Sequence, residues 1–291
     1  MRSTTVPSID ELLDCSFLVL DKPRGPSTHE VTSYIRKLLG VKKVGQMGTL
    51  DPQASGVLII GIGKAVRLLR FVDMREKTYV GCLRLRKKPL DIVVLQAEFD
   101  KQVGKIIQTP PKASAVAKRP RQRKVYEFKA RDISNNTALF ESRVEAGTYI
   151  RVLCQEVGKR FGEGKMIELR RTSVDSVDET QAIRLPDLVD AVWKFRERGD
   201  ASALQEMLRP AREMLHPPAL CVADPVVDAF ARGSPLAISG VGNAEAGWKT
   251  GDWATVIDKN GRLVAMAQLE DGKFRPKVVL AKEGREKKRE E

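Results

Sequence analysis

Residues 45–56 read Gly-Gln-Met-Gly-Thr-Leu-Asp-Pro-Gln-Ala-Ser-Gly, and the apolar run Val-Leu-Ile-Ile-Gly-Ile follows at 57–62. This pattern predicts a glycine-rich loop that leads into a buried strand and lets its backbone approach a bulky ligand closely. The loop has one carboxylate, Asp51, and Pro52 stiffens the turn that directs it. A single rigidly held carboxylate suits a nucleophile or a general base. The same Asp-Pro pattern is also typical of a structural turn, so the loop alone leaves both interpretations open.

The charge of the chain is unevenly distributed. Its 291 residues include 51 Lys and Arg against 38 Asp and Glu, a formal net charge of +13. Residues 112–131 hold eight basic side chains and one acidic side chain, whereas residues 219–280 hold seven of each. Such a concentrated basic run indicates a polyanionic partner. A nuclear-targeting signal or a merely solubilising run is the alternative.

Composition excludes several classes of protein. Hydrophobic residues make up 42% of the chain, which is enough for a core and excludes wholesale disorder. The run 57–62 is too short to span a bilayer, and no secretory signal opens the chain, so we expect a cytoplasmic protein. Two histidines and four cysteines that lie 67 or more residues apart predict neither a metal site nor a disulfide.

Local patterns predict alternating strands and helices. Ser27 and Glu30 form a capping box that predicts a helix start, and Gly40 predicts its end. The pair Pro217-Pro218 coincides with the shift in charge and predicts a domain boundary. The other elements expected before it are an extended arm at 1–13, strands at 17–20, 57–62, 79–85, 125–133 and 137–145, and helices at 64–72, 149–161, 185–198 and 201–214.

Beyond that boundary, short β-patterned runs alternate with glycine turns. Asn260-Gly261 lies between the runs 254–257 and 263–267 and predicts a type I′ hairpin. The short strands at 219–280 indicate a small barrel, and residues 281–291 form a charged tail.

Five motifs together resemble the TruB family of pseudouridine synthases. They occur in the family's order between residues 17 and 172. Besides the Asp51 loop, they are the opening motif Phe17 to Val31, the K-x-Y element Lys77-Thr78-Tyr79, the G-T-Y-I-R element ending at Arg151, and the L-R-R-T element Leu169-Arg170-Arg171-Thr172. The resemblance implies an α+β fold, in which the catalytic domain is built on a mixed, mainly antiparallel sheet with flanking helices. A small β-barrel-like PUA domain is implied as well.

Finer features resemble the archaeal and dyskerin-type branch of this family. Gln108-Thr109-Pro110-Pro111, followed by the basic run and Val125-Tyr126, is similar to the thumb-loop region of that branch. The resemblance implies a catalytic domain at 14–218 after the arm, and a PUA RNA-binding domain at 219–280. Within the catalytic domain, the thumb loop would span about 108–125 and the connecting helices about 185–214. The chain therefore resembles the catalytic subunit of a box H/ACA ribonucleoprotein.

The resemblance also implies the chemistry. A uridine is flipped out of RNA, its N-glycosidic bond is broken, and the rotated base is rejoined through C5, with no cofactor or metal. Asp51 would be the essential carboxylate, acting at the sugar C1′ or C2′. Arg151 would bind and orient it and lower its pKa. Tyr79 would stack on the flipped uracil, and Leu169 would form the apolar wall of the pocket.

RNA-binding residues follow from the same resemblance, and the basic segment 112–131 would close on the substrate as a salt-sensitive lid. Gln46 stands where the family usually has His, and Lys165 where the archaeal branch often has His. These two departures concern the fine positioning of the RNA and not the activity. The residues expected to bind substrate RNA are Lys22, Gln46, Gly48, Thr49, Lys118, Arg119, Arg121, Arg123, Lys124 and Lys165. Those expected to bind guide RNA are Gly233, Ser234, Pro235 and Leu236.

The expected function is therefore guided isomerisation of uridines in rRNA. Guide RNA, substrate RNA and three small H/ACA accessory proteins would be its partners. The compartment would be the cytoplasm for an archaeal protein and the nucleolus for a eukaryotic one. One alternative is a stand-alone synthase that modifies the T-loop uridine of tRNA. A second alternative is a catalytically silent RNA-binding scaffold.

Overall fold

The computed structural model describes residues 7–72, 76–89, 91–111, 117–237 and 247–280. The chain divides into two compact units. The smaller unit contains the residues up to Phe17, Gly61–Val72 and the chain from Leu208 onward, and the larger unit contains Leu18–Ile60 and Asp73–Met207. Residues 1–6 of the predicted arm, residues 112–116 of the predicted thumb loop and the tail 281–291 lie outside the described residues. The domain bounds at 14–218 and 219–280 stay a prediction.

Helices and strands alternate along the described chain. The α-helices are α1 (Ile9–Asp14), α2 (Thr28–Leu39), α3 (Ile92–Asp100), α4 (Ile150–Gly158), α5 (Leu185–Arg198), α6 (Ser202–Met207) and α7 (Asp224–Ala231). Shorter 3₁₀ helices span Lys64–Phe71, Lys159–Phe161, Glu179–Gln181 and Ala211–Met214. The strands are β1 (Cys15–Lys22), β2 (Val44–Gln46), β3 (Ala54–Gly63), β4 (Glu76–Leu85), β5 (Gly104–Gln108), β6 (Arg121–Ser134), β7 (Thr137–Glu145), β8 (Gly164–Val174), β9 (Val177–Asp178), β10 (Ile183–Arg184), β11 (Arg209–Pro210), β12 (Ala219–Cys221), β13 (Leu236–Ala237), β14 (Trp253–Ile257), β15 (Leu263–Glu270) and β16 (Lys273–Val279).

The larger sheet runs in the order β10-β1-β3-β8-β4-β7-β6-β5, with β2 beside β3 and β9 beside β8. The pairs β1–β10 and β3–β8 are parallel, while β4 is antiparallel to both of its neighbours, β7 and β8. The hairpin predicted between 125–133 and 137–145 is present as β6 and β7. The predicted α+β class with a mixed, mainly antiparallel sheet and flanking helices is confirmed.

Strand β4 shows why this sheet has a buried face. Its side chains alternate between buried and partly exposed positions, as a strand with one covered face requires. The apolar residues of this covered face belong to a core that includes Phe99, Phe128 and Phe140. The ring of Phe99 stacks on that of Phe128 with 4.0 Å between the ring centroids, and the ring of Phe140 meets that of Phe128 edge-on with centroids 5.4 Å apart. Phe99 comes from α3, so this core fixes α3 against the part of the sheet formed by β6 and β7.

Helix α2 begins and ends where the sequence predicts. The Glu30 carboxylate accepts a hydrogen bond from the Ser27 N–H at 2.7 Å, and the Ser27 hydroxyl accepts one from the Glu30 N–H at 3.2 Å. Gly40 ends the helix in the left-handed conformation with a φ of 69°. These bonds satisfy backbone groups that a helix end leaves without partners.

The extended arm predicted at 1–13 is wrong for residues 9–13, which belong to α1 (Ile9–Asp14). Ser8 and Glu11 make a second capping box there, and Leu12 is buried. The helix predicted at 201–214 is also shorter, because α6 ends at Met207. Pro210 disfavours helical backbone in the residue before it, and Arg209–Pro210 pair instead with the start of β1.

The smaller unit has a five-stranded sheet in the order β12-β14-β15-β16-β13. Its core includes Leu220, Phe230 from α7, and Phe274. These described strands are consistent in number with a small β domain, and the β-barrel-like PUA domain stays a prediction.

The hairpin between β14 and β15 is present, but its predicted turn type is wrong. A type I′ turn needs positive φ at both central residues, and here Gly261 has a φ of 76° while Asn260 is not in that region. Residues 259–261 form a three-residue loop, closed by a hydrogen bond from the Asp258 N–H to the Arg262 carbonyl at 2.9 Å. The Asp258 carboxylate accepts from the N–H groups of Asn260 and Arg262, which favours this longer turn.

Close packing of α4 on β8 yields the first prediction. A Cβ added at Gly158 would collide with the backbone N and Cα of Gly164. An alanine inside a helix normally stabilises it relative to glycine by about 1 kcal/mol. We expect the opposite for Gly158→Ala, a loss of about 1–3 kcal/mol in the free energy of unfolding, because the helix must move away from the strand. Urea denaturation measures this change.

The exposed residue Gln155 on the same helix provides the control. Gln155→Ala should alter the free energy of unfolding by no more than about 0.5 kcal/mol. A Gly158→Ala protein that is as stable as the wild type would contradict the close approach of α4 and β8.

Candidate active site

Asp51 and Arg151 are brought together by the fold although they lie 100 residues apart. Asp51 lies in the loop between β2 and β3, and Arg151 lies in the first turn of α4. An Arg151 Nη2–H group donates to Asp51 Oδ2. The Asp51 side chain is 49% exposed and that of Arg151 is 34% exposed. The predicted pair therefore exists, and it faces solvent where a substrate can reach it.

The residues next to Asp51 are held by main-chain hydrogen bonds. The Thr28 hydroxyl donates to the Leu50 carbonyl at 2.8 Å and accepts from the Leu50 N–H at 3.2 Å. Leu50 is buried, and the Ala54 N–H donates to the Asp51 carbonyl at 2.9 Å. The backbone on both sides of Asp51 is thus anchored while its carboxylate stays exposed.

Lys22 anchors the other end of this loop. Its ammonium donates to the carbonyls of Pro23 and Ala54, each at 2.8 Å, and lies 3.5 Å from that of Pro52. The Gly25 N–H also donates to the Pro52 carbonyl at 2.8 Å. Lys22 is fully buried, and this burial lowers the pKa of its ammonium. Lys22 therefore supports the loop from inside, and its contact with RNA stays a prediction.

Tyr79 and Leu169 lie on neighbouring strands beside the loop. Tyr79 is buried in β4, and Leu169 in β8 pairs with Ala54 on one side and Gly81 on the other. Tyr79 belongs to the same buried cluster as Leu50 and Ala54, and Leu169 packs against that cluster. The fold thus gathers all four predicted catalytic residues around the Asp51 loop, and their roles stay predictions.

Arg171 is a residue of the site to which the motifs assigned no role. Its guanidinium is buried, and it donates to the Val57 carbonyl at 2.7 Å and to the Gly48 carbonyl at 3.0 Å. It therefore ties the beginning of the loop to β3. The sequence does not indicate this role, because an arginine in a motif usually indicates a surface or RNA-binding charge and not a buried donor to main-chain carbonyls.

Lys77 is a second residue without an assigned role. It is only 8% exposed, and its ammonium forms no hydrogen bond or ion pair with any residue that the structure describes. A Cβ added at Gly48, whose φ is 75°, would lie 2.8 Å from Lys77 Nζ. Burial, and then the positive charge of Arg171, lowers the Lys77 pKa to about 8, although Asp175 partly opposes the shift. The available signal was the position of Lys77 on the buried face of an alternating strand.

The residues expected to bind RNA occupy several places. Of the basic stretch, Arg123 is partly buried and lies beside Gly147, and its Nη1–H group donates to the Gln122 carbonyl at 2.8 Å. Gln46 is partly buried at the end of β2. The exposed ones among the described residues are Thr49, Lys118, Arg119, Arg121, Lys124, Lys165 and, in the smaller unit, Gly233, Ser234 and Pro235, while Gly48 and Leu236 are partly exposed.

The described part of the chain shows neither a metal-binding cluster nor a membrane-spanning helix. Within the described ranges, no three His, Cys, Asp or Glu side chains are grouped so that they could hold a metal ion. No helix within those same ranges is both long enough and apolar enough to cross a membrane.

Removing the Lys22 ammonium tests its support of the loop. We expect Lys22→Met to lower the free energy of unfolding by about 3 kcal/mol, because buried carbonyls lose a charged donor. Chemical denaturation measures the loss. Lys43→Met, a change at an exposed lysine in the preceding loop, should leave stability nearly unchanged. Equal effects of the two substitutions would show that the buried ammonium does not hold the loop.

Removing the Lys77 ammonium should have the opposite effect. Because a buried charge without a partner is costly, we expect Lys77→Met to raise the free energy of unfolding at pH 7. Between pH 8 and about 10.5 the unfolded chain binds more protons at Lys77 than the folded chain does, so the cost of burying this lysine falls as the pH rises. The difference in the free energy of unfolding between Lys77→Met and the wild type should therefore become smaller from pH 7 to pH 10. Denaturation at both pH values measures it, and a constant gap would contradict the lowered pKa.

Comparisons with known proteins agree with this geometry. Residues 36–150 match the profile of the TruB family pseudouridylate synthase (N terminal domain), and residues 151–216 match that of the tRNA pseudouridylate synthase B C-terminal domain. A probable tRNA pseudouridine synthase B from Pyrobaculum calidifontis is 36% identical over 284 residues, which cover 96% of this chain and 85% of the relative. A protein of the same name from Nanoarchaeum equitans is 37% identical over 262 residues, which cover 89% of this chain and 74% of the relative.

Solved structures show the same similarity. A structure of a Cbf5-Nop10-Gar1 complex matches 95% of this chain and 88% of its own matched chain, with a TM-score of 0.81 and 33% identity. A structure of an H/ACA RNP bound to a substrate RNA containing 2′-deoxyuridine matches 96% of this chain and 89% of its own, with a TM-score of 0.81 and 31% identity. With its Asp51 loop, its mixed sheet and relatives that match it over most of their length, the chain belongs to the TruB family of pseudouridine synthases.

Proposed function

We propose that Asp51 is the essential carboxylate of this RNA pseudouridine synthase and that Arg151 orients it. The observation that supports this assignment is their ion pair at an accessible surface of the loop. Arg151 engages Oδ2, while Oδ1 accepts no hydrogen bond from any described residue. Oδ1 is therefore the oxygen available to the sugar of a flipped uridine. An ionised carboxylate at this position can attack C1′ or remove a proton from C2′.

Tyr79 and Leu169 supply the apolar surface against which the flipped base would rest. Both border the buried cluster that includes Leu50 and Ala54, next to the Asp51 backbone. A base that has left its stack gains from contact with such side chains. In this proposal, the uracil remains between them while the glycosidic bond is broken and the base turns to present C5.

Lys77 offers a positive charge to an anionic group of the substrate. It lies on the same face of β4 as Tyr79 and is adjacent to Gly48 in the loop. Among the described residues, none forms a hydrogen bond or an ion pair with its ammonium. When the N-glycosidic bond breaks heterolytically, the electron pair stays with the uracil, which becomes anionic. A nearby cation stabilises such charge more effectively in a desolvated site than in water. The Lys77→Met protein should accordingly be the slower enzyme although it is the more stable one.

Guide-dependent modification is the mode we favour. The similarity to H/ACA structures extends over 95% and 96% of this chain, which includes the segments outside the catalytic motifs. We propose that the partners are guide and substrate RNA and three small H/ACA accessory proteins, and that rRNA is the target. The catalytic domain would span 14–218 and the PUA domain 219–280, with guide RNA held at the exposed turn 233–235 and Leu236.

The exposed basic side chains at the end of the β5–β6 connection and at the start of β6 would bind substrate RNA. Lys118, Arg119, Arg121 and Lys124 are exposed and close together in sequence, and this concentration of positive charge favours contact with RNA phosphates. Their contribution should weaken steeply with salt, because binding releases counterions from the RNA.

Stand-alone modification of the tRNA T-loop is the second candidate. The relatives from Pyrobaculum calidifontis and Nanoarchaeum equitans are both named as probable tRNA pseudouridine synthases. Both modes would use the same catalytic residues. A catalytically silent RNA-binding scaffold would not need the accessible Asp51–Arg151 ion pair, so this alternative does not account for it.

Tritium release from C5-tritiated uridine RNA tests these assignments. We expect Asp51→Asn to abolish release, because an amide can neither attack C1′ nor act as a base at C2′. Asp187→Asn is the matched control, since Asp187 is also an exposed carboxylate paired with an arginine, Arg184, in the same unit. The control should retain wild-type release. Release by Asp51→Asn at the wild-type rate would exclude Asp51 as the essential group.

The same assay separates the two modes. Wild-type protein is given a tRNA transcript alone, and separately a target RNA with guide RNA and accessory proteins. Release only in the second mixture supports the guided enzyme. Release from tRNA alone supports the stand-alone enzyme. Tight RNA binding without release in either mixture would favour the scaffold.

A further inference from the structure

Gln108 holds both backbone groups of a single residue near the site. It is the last residue of β5 and is 5% exposed. Its Nε2–H group donates to the Tyr149 carbonyl at 3.2 Å, and its Oε1 accepts from the Tyr149 N–H at 2.9 Å. The side-chain amide therefore fixes the Tyr149 peptide groups in both position and orientation.

Tyr149 is where α4 begins, two residues before Arg151. The Tyr149 carbonyl accepts from the N–H groups of Val152 at 3.0 Å and Leu153 at 3.2 Å, which start the helix. The Tyr149 side chain makes no capping hydrogen bond at this helix start. Such bonds ordinarily set how a chain enters a helix. Gln108 supplies from another strand the anchoring that the local sequence lacks.

Two more contacts join the same parts of the molecule. The Lys124 N–H on β6 donates to the Glu145 carboxylate at 2.8 Å. The Arg123 guanidinium lies over Gly147, where an added Cβ would be 3.0 Å from Arg123 Nε. Strands β5 and β6 are antiparallel neighbours, and Gln108, Arg123 and Lys124 lie on them. The β5–β6 pair therefore contacts the segment 145–149 at three points along its length.

We propose that Gln108 is a positioning residue that couples the β5–β6 hairpin to Arg151, and through Arg151 to the Asp51 carboxylate. The inference rests on the roles proposed above for Asp51 and Arg151. A half-exposed ion pair does not hold its own geometry, since such pairs contribute little free energy. The orientation of the Arg151 guanidinium towards Asp51 must therefore depend on the position of the first turn of α4. Gln108 fixes the Tyr149 backbone, where that turn begins.

The test compares the full-length wild type and Gln108→Met in single-turnover tritium release, with saturating RNA on which the wild type is active. We expect the rate to fall about ten-fold, since small displacements of catalytic groups cost rate steeply. The dissociation constant for RNA should stay within about two-fold of the wild type, because the Gln108 side chain is buried and its amide is bonded to the Tyr149 backbone. Gln108→Glu keeps an acceptor for the Tyr149 N–H and should give an intermediate rate.

Gln96 provides a matched control. Its side-chain amide also makes two backbone hydrogen bonds, donating to the Phe128 carbonyl at 3.0 Å and accepting from the Ala130 N–H at 2.8 Å. These bonds join α3 to β6 and do not reach α4. Gln96→Met should reduce thermal stability to a similar extent as Gln108→Met, yet leave the single-turnover rate unchanged.

A double-substitution cycle separates positioning from general destabilisation. If Gln108 acts through Arg151, then Gln108→Met should add little to the rate loss already caused by Arg151→Lys. Independent, multiplicative losses would overturn the proposal, as would equal rates for Gln96→Met and Gln108→Met. Asp51→Asn in the same assay checks the premise, because retained release there would refute the proposed catalytic carboxylate and not the contact of Gln108 with Tyr149.

Discussion

The ion pair between Asp51 and Arg151 is the interaction on which the candidate site depends. Its two members are half-exposed, and an exposed ion pair has little power to organise a protein. The geometry must therefore be imposed from both ends by the backbone. Thr28 and Lys22 hold the loop around Asp51, and Gln108 holds the entry to the helix that bears Arg151. Each of these three anchoring side chains is buried, so water does not compete for the hydrogen bonds that hold the backbone on either side of the accessible ion pair.

Three buried cations surround this loop, and they differ in how their charge is satisfied. Lys22 and Arg171 donate to main-chain carbonyls and so stabilise the loop directly. Lys77 has no such acceptor among the described residues. A protein under selection for stability alone has no reason to retain an unpaired ammonium in this position, because its burial costs free energy. The role proposed above for Lys77, which is to stabilise an anionic group of the substrate, would account for such a residue.

Much of this protein was predictable because its signals are local. The capping box of Ser27 and Glu30, the strand after Gly56 and the β6–β7 hairpin depend on residues near in sequence, and each is present. The errors had local causes as well. The Ser8–Glu11 capping box starts a helix in the segment predicted as an extended arm. The Asp258 carboxylate accepts from the Asn260 N–H and favours a longer turn than the type I′ turn that Asn260-Gly261 predicts. Motif order indicated the family, and the comparisons confirmed it.

The sequence by itself determined the family through its five motifs, and the resemblance to that family implied the fold class and the candidate carboxylate. Only the tertiary structure decided which polar groups are buried and what they meet. In the sequence, Lys22, Lys77 and Gln108 look like ordinary polar residues. In the structure, Lys22 supports the loop and Gln108 anchors the start of a distant helix. Lys77 is buried and has no hydrogen-bond or ion-pair partner among the residues that the structure describes. Burial and partnership arise from contacts between segments far apart along the chain, and desolvation gives those contacts their strength.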